Sequence, residues 1–333
     1  MTKVSLVGFG RIGRDLFRQS ISNDDINIVS ISDTADKKNL IYLLKYDSIY
    51  GKLDATIEES KNGIIVNEKE VLFNSWKDST DAEWSSLNTE VVILATGKPQ
   101  NVDEIKGHID KGSKKVLIAS TPMKFGDIQI YIPGANEENI DFTANSFSLG
   151  SNTANAVAPI LKKLHAKVGI ERAFLTTVHG YSNSNRLADV AGEGFRLNRA
   201  AGENIIPSIT KSSDVIVEVL PQFKNKVASS SMTVPVPDGS TVDLTIDLKK
   251  ETTIHEINEM IEDMAKNDLK DIIGITYDPI VSSDVVRSTL SGLVDGLATM
   301  GINNKKIKLI IWFDNGWGYA ARIIDTLKKL EMD

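Results

Sequence analysis

The 333-residue chain contains no cysteine. That absence removes disulfides, thiolate metal ligands and thiolate nucleophiles together. A dominant charge is missing too: 38 basic side chains stand against 45 acidic ones, for a net charge of −7. A nucleic-acid groove or an anionic membrane surface as the main partner is therefore not expected. No apolar run reaches membrane-spanning length. The opening MTKVSLVGFG enters a strand-like stretch with no charged leader region before it, so a secretory signal is not expected and a cytoplasmic protein is. The acidic residues are dispersed, and the four histidines share no ligand-like spacing with them, so no metal site is expected either. Repeats and low-complexity tracts are lacking.

What remains is length for two domains and a change of pattern between them. Up to residue 150, short apolar runs alternate with helical periodicity. Lys3–Val7, Ile26–Ile31, Glu90–Leu94, Lys115–Ser120 and Gln129–Ile132 read as strands, and Gly10–Ser22 as a helix with Ile12, Leu16 and Phe17 inward. Continuous apolar runs such as VVIL and VLIA suit strands covered on both faces, hence a doubly wound parallel sheet. Beyond 150 the pattern is α+β. SNTAN opens an amphipathic helix to about His165, and Ala173–Val178 reads as a strand. A loop rich in Gly, Asn and Arg then runs from Gly180 to Ile206. MTVPV and VDLTIDL flank a turn at Pro235–Ser240, where the Asp-Gly pair suits a hairpin. Lys306–Phe313 reads as a strand and Trp317–Leu330 as a helix.

One motif carries cofactor chemistry. Gly8-Phe9-Gly10-Arg11-Ile12-Gly13 follows the first strand and opens the first helix. The glycines suit a tight turn, close approach of a pyrophosphate and helix–strand packing, and the helix N-terminus offers free N–H groups to the phosphates. Asp33, at the end of the next strand, stands where a carboxylate bonds the ribose hydroxyls. It disfavours a 2′-phosphate and so favours NAD. Thr34, Lys37 and Lys38 close behind it leave NADP open.

From these residues onward the chain resembles the glyceraldehyde-3-phosphate dehydrogenase family over nearly its whole length. The matching segments are GFGRIGR, LLKYDSIYG (43–51), ATG (95–97), SNTANAVAP (151–159), TTVHGYSN (176–183), RAAGENIIPSIT (199–210) and WFDNGWGY (312–319). The resemblance implies a Rossmann-type NAD(P)-binding domain over 1–150, with the helix from 317 to 333 packing back on it. It implies an α+β catalytic domain with a largely antiparallel sheet over 151–316. It further implies a small-molecule substrate and a homotetramer in which the Gly180–Ile206 loop lines a neighbour's cofactor site. By the same likeness Asn315 looks like the holder of the nicotinamide carboxamide, with Tyr319 packed beside it and Thr96, Gly97 and Ser120 flanking that half of the site. Val190-Ala191 and Thr34 are similar to members that also accept NADP.

The likeness breaks at the chemistry. The family's nucleophilic cysteine corresponds to Asn152, and a neutral amide cannot form the thiohemiacetal of phosphorylating aldehyde oxidation. His179 falls at the family's catalytic base, and an imidazole titrates close enough to neutrality to move a proton there. His108, His165 and His255 read as structural. Two phosphate-binding arginines of the family align with Leu197 and Thr233, and a threonine and an aspartate with Ser182 and Ser184. Ser151, Thr153 and Thr210 remain as neutral donors, and Lys211 replaces a glycine beside them. Each charge-assisted hydrogen bond lost costs roughly 1.5–3 kcal/mol, so two lost arginines weaken a phosphorylated substrate by about two orders of magnitude or more.

Three functions are consistent with this pattern. The first is an NAD(P)-dependent oxidoreductase acting on a small carbonyl or alcohol without a covalent intermediate, with His179 as acid/base and the Asn152 amide polarising the carbonyl. The second is a non-catalytic, dinucleotide-binding regulatory or assembly subunit. The third is the family's usual phosphorylating reaction, which the missing thiol argues against.

Overall fold

In the computed structural model, which describes residues 1–76, 78–192 and 194–330, the chain divides into two units. The first comprises Met1–Tyr131, Glu138–Gly150 and the chain from Ala320 onward; the second comprises Ile132–Glu137 and Ser151–Tyr319.

The first unit is built on a nine-stranded sheet. Its order is Gln129–Ile130, Ser146–Ser148, Lys115–Ile118, Val91–Leu94, Thr2–Val7, Ile26–Ser32, Lys69–Asn74, Gly63–Val66 and Ile57–Glu59. The first seven run parallel, and the last two close one edge antiparallel. Every residue of Val91–Leu94 and of Lys115–Ile118 is buried, as continuous apolar runs in a covered parallel sheet should be. Strands in sequence run outward from Thr2–Val7 in both directions, so the order reverses there, and the carboxyl ends of its two neighbours flank a crevice. The first helix, Arg11–Ser20, buries Leu16 and Phe17; Ile12, expected inward, is only half-buried because it lies in the first turn, near the helix end. Phe9 faces the core, edge-on to Phe17 at 5.7 Å and Phe73 at 6.0 Å.

The second unit carries an eight-stranded mixed sheet in the order Ile206–Ser208, Val227–Val234, Ile170–Gly180, Ser240–Leu248, Lys306–Phe313, Gly292–Asp295, Ile273–Thr276, with Met300–Ile302 also on Lys306–Phe313. Most pairings are antiparallel; Ile170–Gly180 with Val227–Val234 and Ile273–Thr276 with Gly292–Asp295 are parallel. Ser240–Leu248 alternates buried and half-buried positions throughout, as its sequence alternation predicts.

The hairpin expected around Pro235–Ser240 does not form. Val227–Val234 and Ser240–Leu248 are not neighbours, because Ile170–Gly180 lies between them, parallel to the first and antiparallel to the second. Their connection must step over one strand, roughly 10 Å of sheet, and the Asp-Gly pair turns the chain there without setting a two-residue hairpin. Helix Asn152–Val168 is buried along most of its length and begins at Ser151, whose Oγ accepts the Ala154 N–H at 3.4 Å. Among the described residues no helix is long and apolar enough to cross a membrane, and no group of three or more His, Asp or Glu side chains is placed to hold a metal ion.

Candidate functional site

The glycine-rich turn in the first unit is shaped by what cannot fit. Gly8 has φ +92°, and a Cβ there would lie 2.7 Å from the Ala95 carbonyl oxygen. A Cβ on Gly13 would lie 2.3 Å from the Gly8 carbonyl oxygen. Gly10 differs: nothing stands within 4 Å of its added Cβ. Two glycines thus let strand and helix meet, and the third, at the N-cap of Arg11–Ser20, keeps an open approach to the free N–H groups of that helix. Asp33 is locked beside them. Its Oδ2 accepts the Phe9 N–H at 2.7 Å and its Oδ1 the Ala35 N–H at 2.9 Å. A carboxylate oxygen has a second lone pair, so both can still accept from ribose hydroxyls. The turn and Asp33 thus fit a dinucleotide. Phe9 contributes its backbone to this turn while its side chain stays in the core. Thr34 is exposed. Thr96 Oγ1 accepts from Gln100 Nε2 at 2.9 Å, Gly97 has φ +71°, and the Ser120 hydroxyl donates to the Lys98 carbonyl at 3.1 Å, so these three hold one exposed loop pair together.

In the second unit a cavity of about 280 Å³ gathers Ser151, Asn152, Thr153, His179, Ser182, Thr210 and Asn315. His179 and Thr177, two apart on one strand, share a face. The His179 ring is oriented by a 2.9 Å contact between Nδ1 and the Gly180 carbonyl oxygen. A carbonyl only accepts, so Nδ1 carries the hydrogen and the neutral ring leaves Nε2 as the free basic nitrogen. Asn152, first residue of its helix, accepts the Thr153 N–H on Oδ1 at 2.7 Å and donates from Nδ2 to the Asn315 carbonyl at 3.1 Å. One Nδ2 hydrogen remains for a ligand. Asn315 Oδ1 in turn accepts from the Ser240 hydroxyl at 3.2 Å.

Most of the remaining wall is hydroxyl, with Gly180, Ile209 and Phe313 completing it. Ser212 Oγ lies 3.1 Å from Ser151 Oγ and 2.8 Å from Thr210 Oγ1, and Thr177 Oγ1 donates to Thr153 Oγ1 at 3.5 Å. No acidic side chain, lysine or arginine is among the lining residues. Ser184 and Thr233 fall instead on an adjoining cavity that shares His179 and Ser182 and also includes Leu197. There Ser182 and Ser184 pair at 2.9 Å, and Thr233, fully buried, meets Ser208 at 3.4 Å. Lys211 is exposed and lines neither cavity, so it is not brought to the polar donors beside it in sequence. Its side chain leaves the surface at the residue preceding helix Ser212–Val219. Tyr319 is buried, and burial pushes its phenol well above the ordinary tyrosine range. His108 and His165 are held elsewhere, by Trp84 and by the Ile170 N–H, and His255 is exposed.

Several contributors escape a reading of the sequence. Ser212, Ser231 and Ser240 carry no motif, and only the sheet register brings Ser231 opposite Thr177. Asp314 is another. Its Oδ1 accepts the Gly316 and Trp317 N–H groups at 2.9 and 2.6 Å, and its Oδ2 accepts the Arg287 N–H at 2.8 Å. It fixes the turn that presents Asn315, and its placement just before a helical pattern was the available signal.

Comparison with known proteins shows the family of the chain. The family model for the glyceraldehyde 3-phosphate dehydrogenase NAD binding domain matches residues 2–102, and that for the C-terminal domain of the same enzyme matches residues 151–315. Glyceraldehyde-3-phosphate dehydrogenase of Geobacillus stearothermophilus is 39% identical over 324 residues, covering 97% of this chain and 96% of that protein. The Thermotoga maritima protein is 40% identical over 332 residues, covering 99% of each. The Borreliella burgdorferi protein is 39% identical over 334 residues, covering 98% and 99%.

Proposed function

Since the chain belongs to the glyceraldehyde-3-phosphate dehydrogenase family and is an NAD-binding oxidoreductase of it, we propose that it interconverts a small carbonyl compound and its alcohol without a covalent intermediate. One observation carries this reading. Asn152 stands at the family's nucleophile position in a chain with no thiol at all, while His179 keeps a free, oriented ring nitrogen in the same cavity.

A bound nicotinamide would accept the hydride as NAD⁺ or supply it as NADH. The protein's own part is proton transfer and orientation. In the oxidising direction His179 Nε2 takes the hydroxyl proton, and the carbonyl of Gly180 on Nδ1–H steadies the imidazolium that forms. The remaining Asn152 Nδ2–H donates to the substrate oxygen. No lysine or arginine lines this cavity, which favours an uncharged group there, while Arg196 lines the adjoining cavity that shares His179 and Ser182 and offers an anionic group a partner on that side.

Consumption of NAD(P)H with a panel of aldehydes and ketones tests this. A His179→Ala variant should lose about 10²- to 10⁴-fold in kcat while binding NAD unchanged. Ready formation of an acyl phosphate from glyceraldehyde 3-phosphate would show the assignment of Asn152 to be wrong. No turnover across the panel, with NAD still bound, favours the second reading, a dinucleotide-binding regulatory or assembly subunit. That reading draws on the inward bonding of Asn152, two of whose polar contacts serve its own helix and turn. A homotetramer belongs to the proposal as well. Leu187, Phe195 and Ile209 are 85%, 97% and 100% exposed on and just beyond the loop Gly180–Ile206, an apolar cost that a partner surface would remove.

A further inference from the structure

Beside the hydroxyl cavity of the second unit lies a larger one, of about 700 Å³ against about 280 Å³, and the two share His179, Ser182 and Ile209. Sheet register sets where it sits. Thr233 pairs with His179 across the parallel strands Val227–Val234 and Ile170–Gly180, so the two side chains leave one face of the sheet at neighbouring positions, about 5 Å apart. Ile206–Ser208 pairs with Val227–Val234 at the edge of the sheet and brings Pro207 and Ser208 to the cavity. Thr233 is almost fully buried and lines the cavity beside the imidazole.

We infer that the substrate carries an apolar chain of several carbons, which leaves the reacting carbon beside His179, passes over Thr233 and fills this cavity. Four apolar side chains line it, Phe195, Leu197, Pro207 and Ile209. The hydroxyl cavity offers such a chain only Ile209 and Phe313. The hydroxyls of the larger cavity are already engaged, Ser182 with Ser184 at 2.9 Å, and Ser208 with the Ile206 carbonyl at 3.3 Å and with Thr233 at 3.4 Å. They therefore ask little of a ligand. Arg196 is the one charged group among the described lining residues and is at hand for a polar end of the chain. By the sequence alignment Leu197 and Thr233 stand where the family holds phosphates with arginine, so the two positions that would fix a charged group are apolar and neutral here. A cavity of this size suits a ligand larger than a three-carbon sugar, and the residues it shares with the hydroxyl cavity make it continuous with the reacting end.

This deepens the carbonyl–alcohol reading and rests on it for the orientation of the substrate, so turnover and binding are read separately. Turnover is measured as kcat/KM for propanal, pentanal and heptanal with NADH. Binding is measured by ligand-detected NMR titration of the matching 1-alkanols onto the full chain with NAD present. Each added methylene should improve kcat/KM and alcohol affinity about threefold in the wild type. Leu197→Arg sets a charge in the apolar wall and should flatten both series to less than about 1.5-fold per methylene. An NAD affinity within about twofold of wild type shows that this variant is folded. No turnover with a rising alcohol series that Leu197→Arg flattens would keep the cavity and remove the reaction. Absent alcohol binding, a flat wild-type series in both readouts, or a slope that survives Leu197→Arg would overturn the inference. The flat series would leave these apolar residues to a partner subunit.

Discussion

The glycine turn and the hydroxyl cavity are built by opposite means. At Gly8 and Gly13 the backbone of one element touches the backbone of another, and no side chain can enter. Around His179 much of the wall is side chain, and serines and threonines trade hydrogen bonds with one another. A surface made of backbone contacts tolerates almost no substitution, because nothing flexible can yield. A surface made of exchangeable hydroxyls can be refitted one residue at a time. On the function proposed above, that contrast would let the cofactor turn keep its family form while the positions around His179 are refitted.

The sharpest way to break the comparison is inside the turn itself. A methyl on Gly13 would sit 2.3 Å from a carbonyl oxygen, whereas one on Gly10 meets nothing. Gly13→Ala should therefore cost on the order of 3–4 kcal/mol of stability, seen as a lower urea midpoint with NAD binding lost alongside. Gly10→Ala should change stability by about 1 kcal/mol or less, yet weaken NAD strongly, because the methyl fills the approach to the helix N-terminus. Equal stability losses in the two variants would remove the distinction between packing glycine and ligand glycine.

A buried side-chain pair tests whether the first unit depends on side chains as well. His108 is 1% exposed, accepts the Trp84 indole N–H on Nδ1 at 3.0 Å, and stacks obliquely on that ring. Burial holds its pKa at about 4, below the unfolded value of 6.5, with Asp78 opposing weakly. The Glu104 carboxylate lies 3.4 Å from Nε2 and would favour the charged ring, but the lost solvation dominates. Between those pH values the unfolded chain binds the proton and the folded chain does not. Stability is therefore full above about pH 6.5 and falls as the pH drops toward 4, by roughly 3 kcal/mol in all. Chemical denaturation across that range should show the slope, and His108→Phe should flatten it. An unchanged slope in the variant would place the acid sensitivity elsewhere.

What was legible in the sequence follows the same divide. The parallel strands and the glycine turn announce themselves because each residue's reason is local: an apolar run, a missing side chain, a carboxylate one strand later. Asn152, His179 and Asn315 were legible through the family likeness, and they do line one cavity. Register was not legible. The Asp-Gly turn after Val234 says only that the chain reverses, not that Ile170–Gly180 intrudes between its arms. For the same reason no motif singles out Ser231 and Ser240, since a serine's neighbours across a sheet are set by pairing that no local pattern encodes. Lys211 shows the converse: adjacency in sequence to Thr210 and Ser212 did not carry its side chain into the cavity.

The smallest expected effect sharpens the cavity side of the contrast. Ser212 Oγ bridges Ser151 and Thr210, and it is nearly inaccessible to solvent. Ser212→Ala deletes both bonds, but neither partner is stranded. Ser151 still accepts the Ala154 N–H at 3.4 Å, and Thr210 Oγ1 still accepts the residue-212 N–H at 3.2 Å. The loss should thus be near a single net hydrogen bond, about 1 kcal/mol or a few degrees of Tm, with NAD affinity unchanged. If the hydroxyls are interchangeable, KM for a responding carbonyl substrate should shift by less than about tenfold. A loss as large as that of Gly13→Ala would mean that the hydroxyls form one rigid network, as intolerant as the turn, and the two sites would then differ in composition but not in kind.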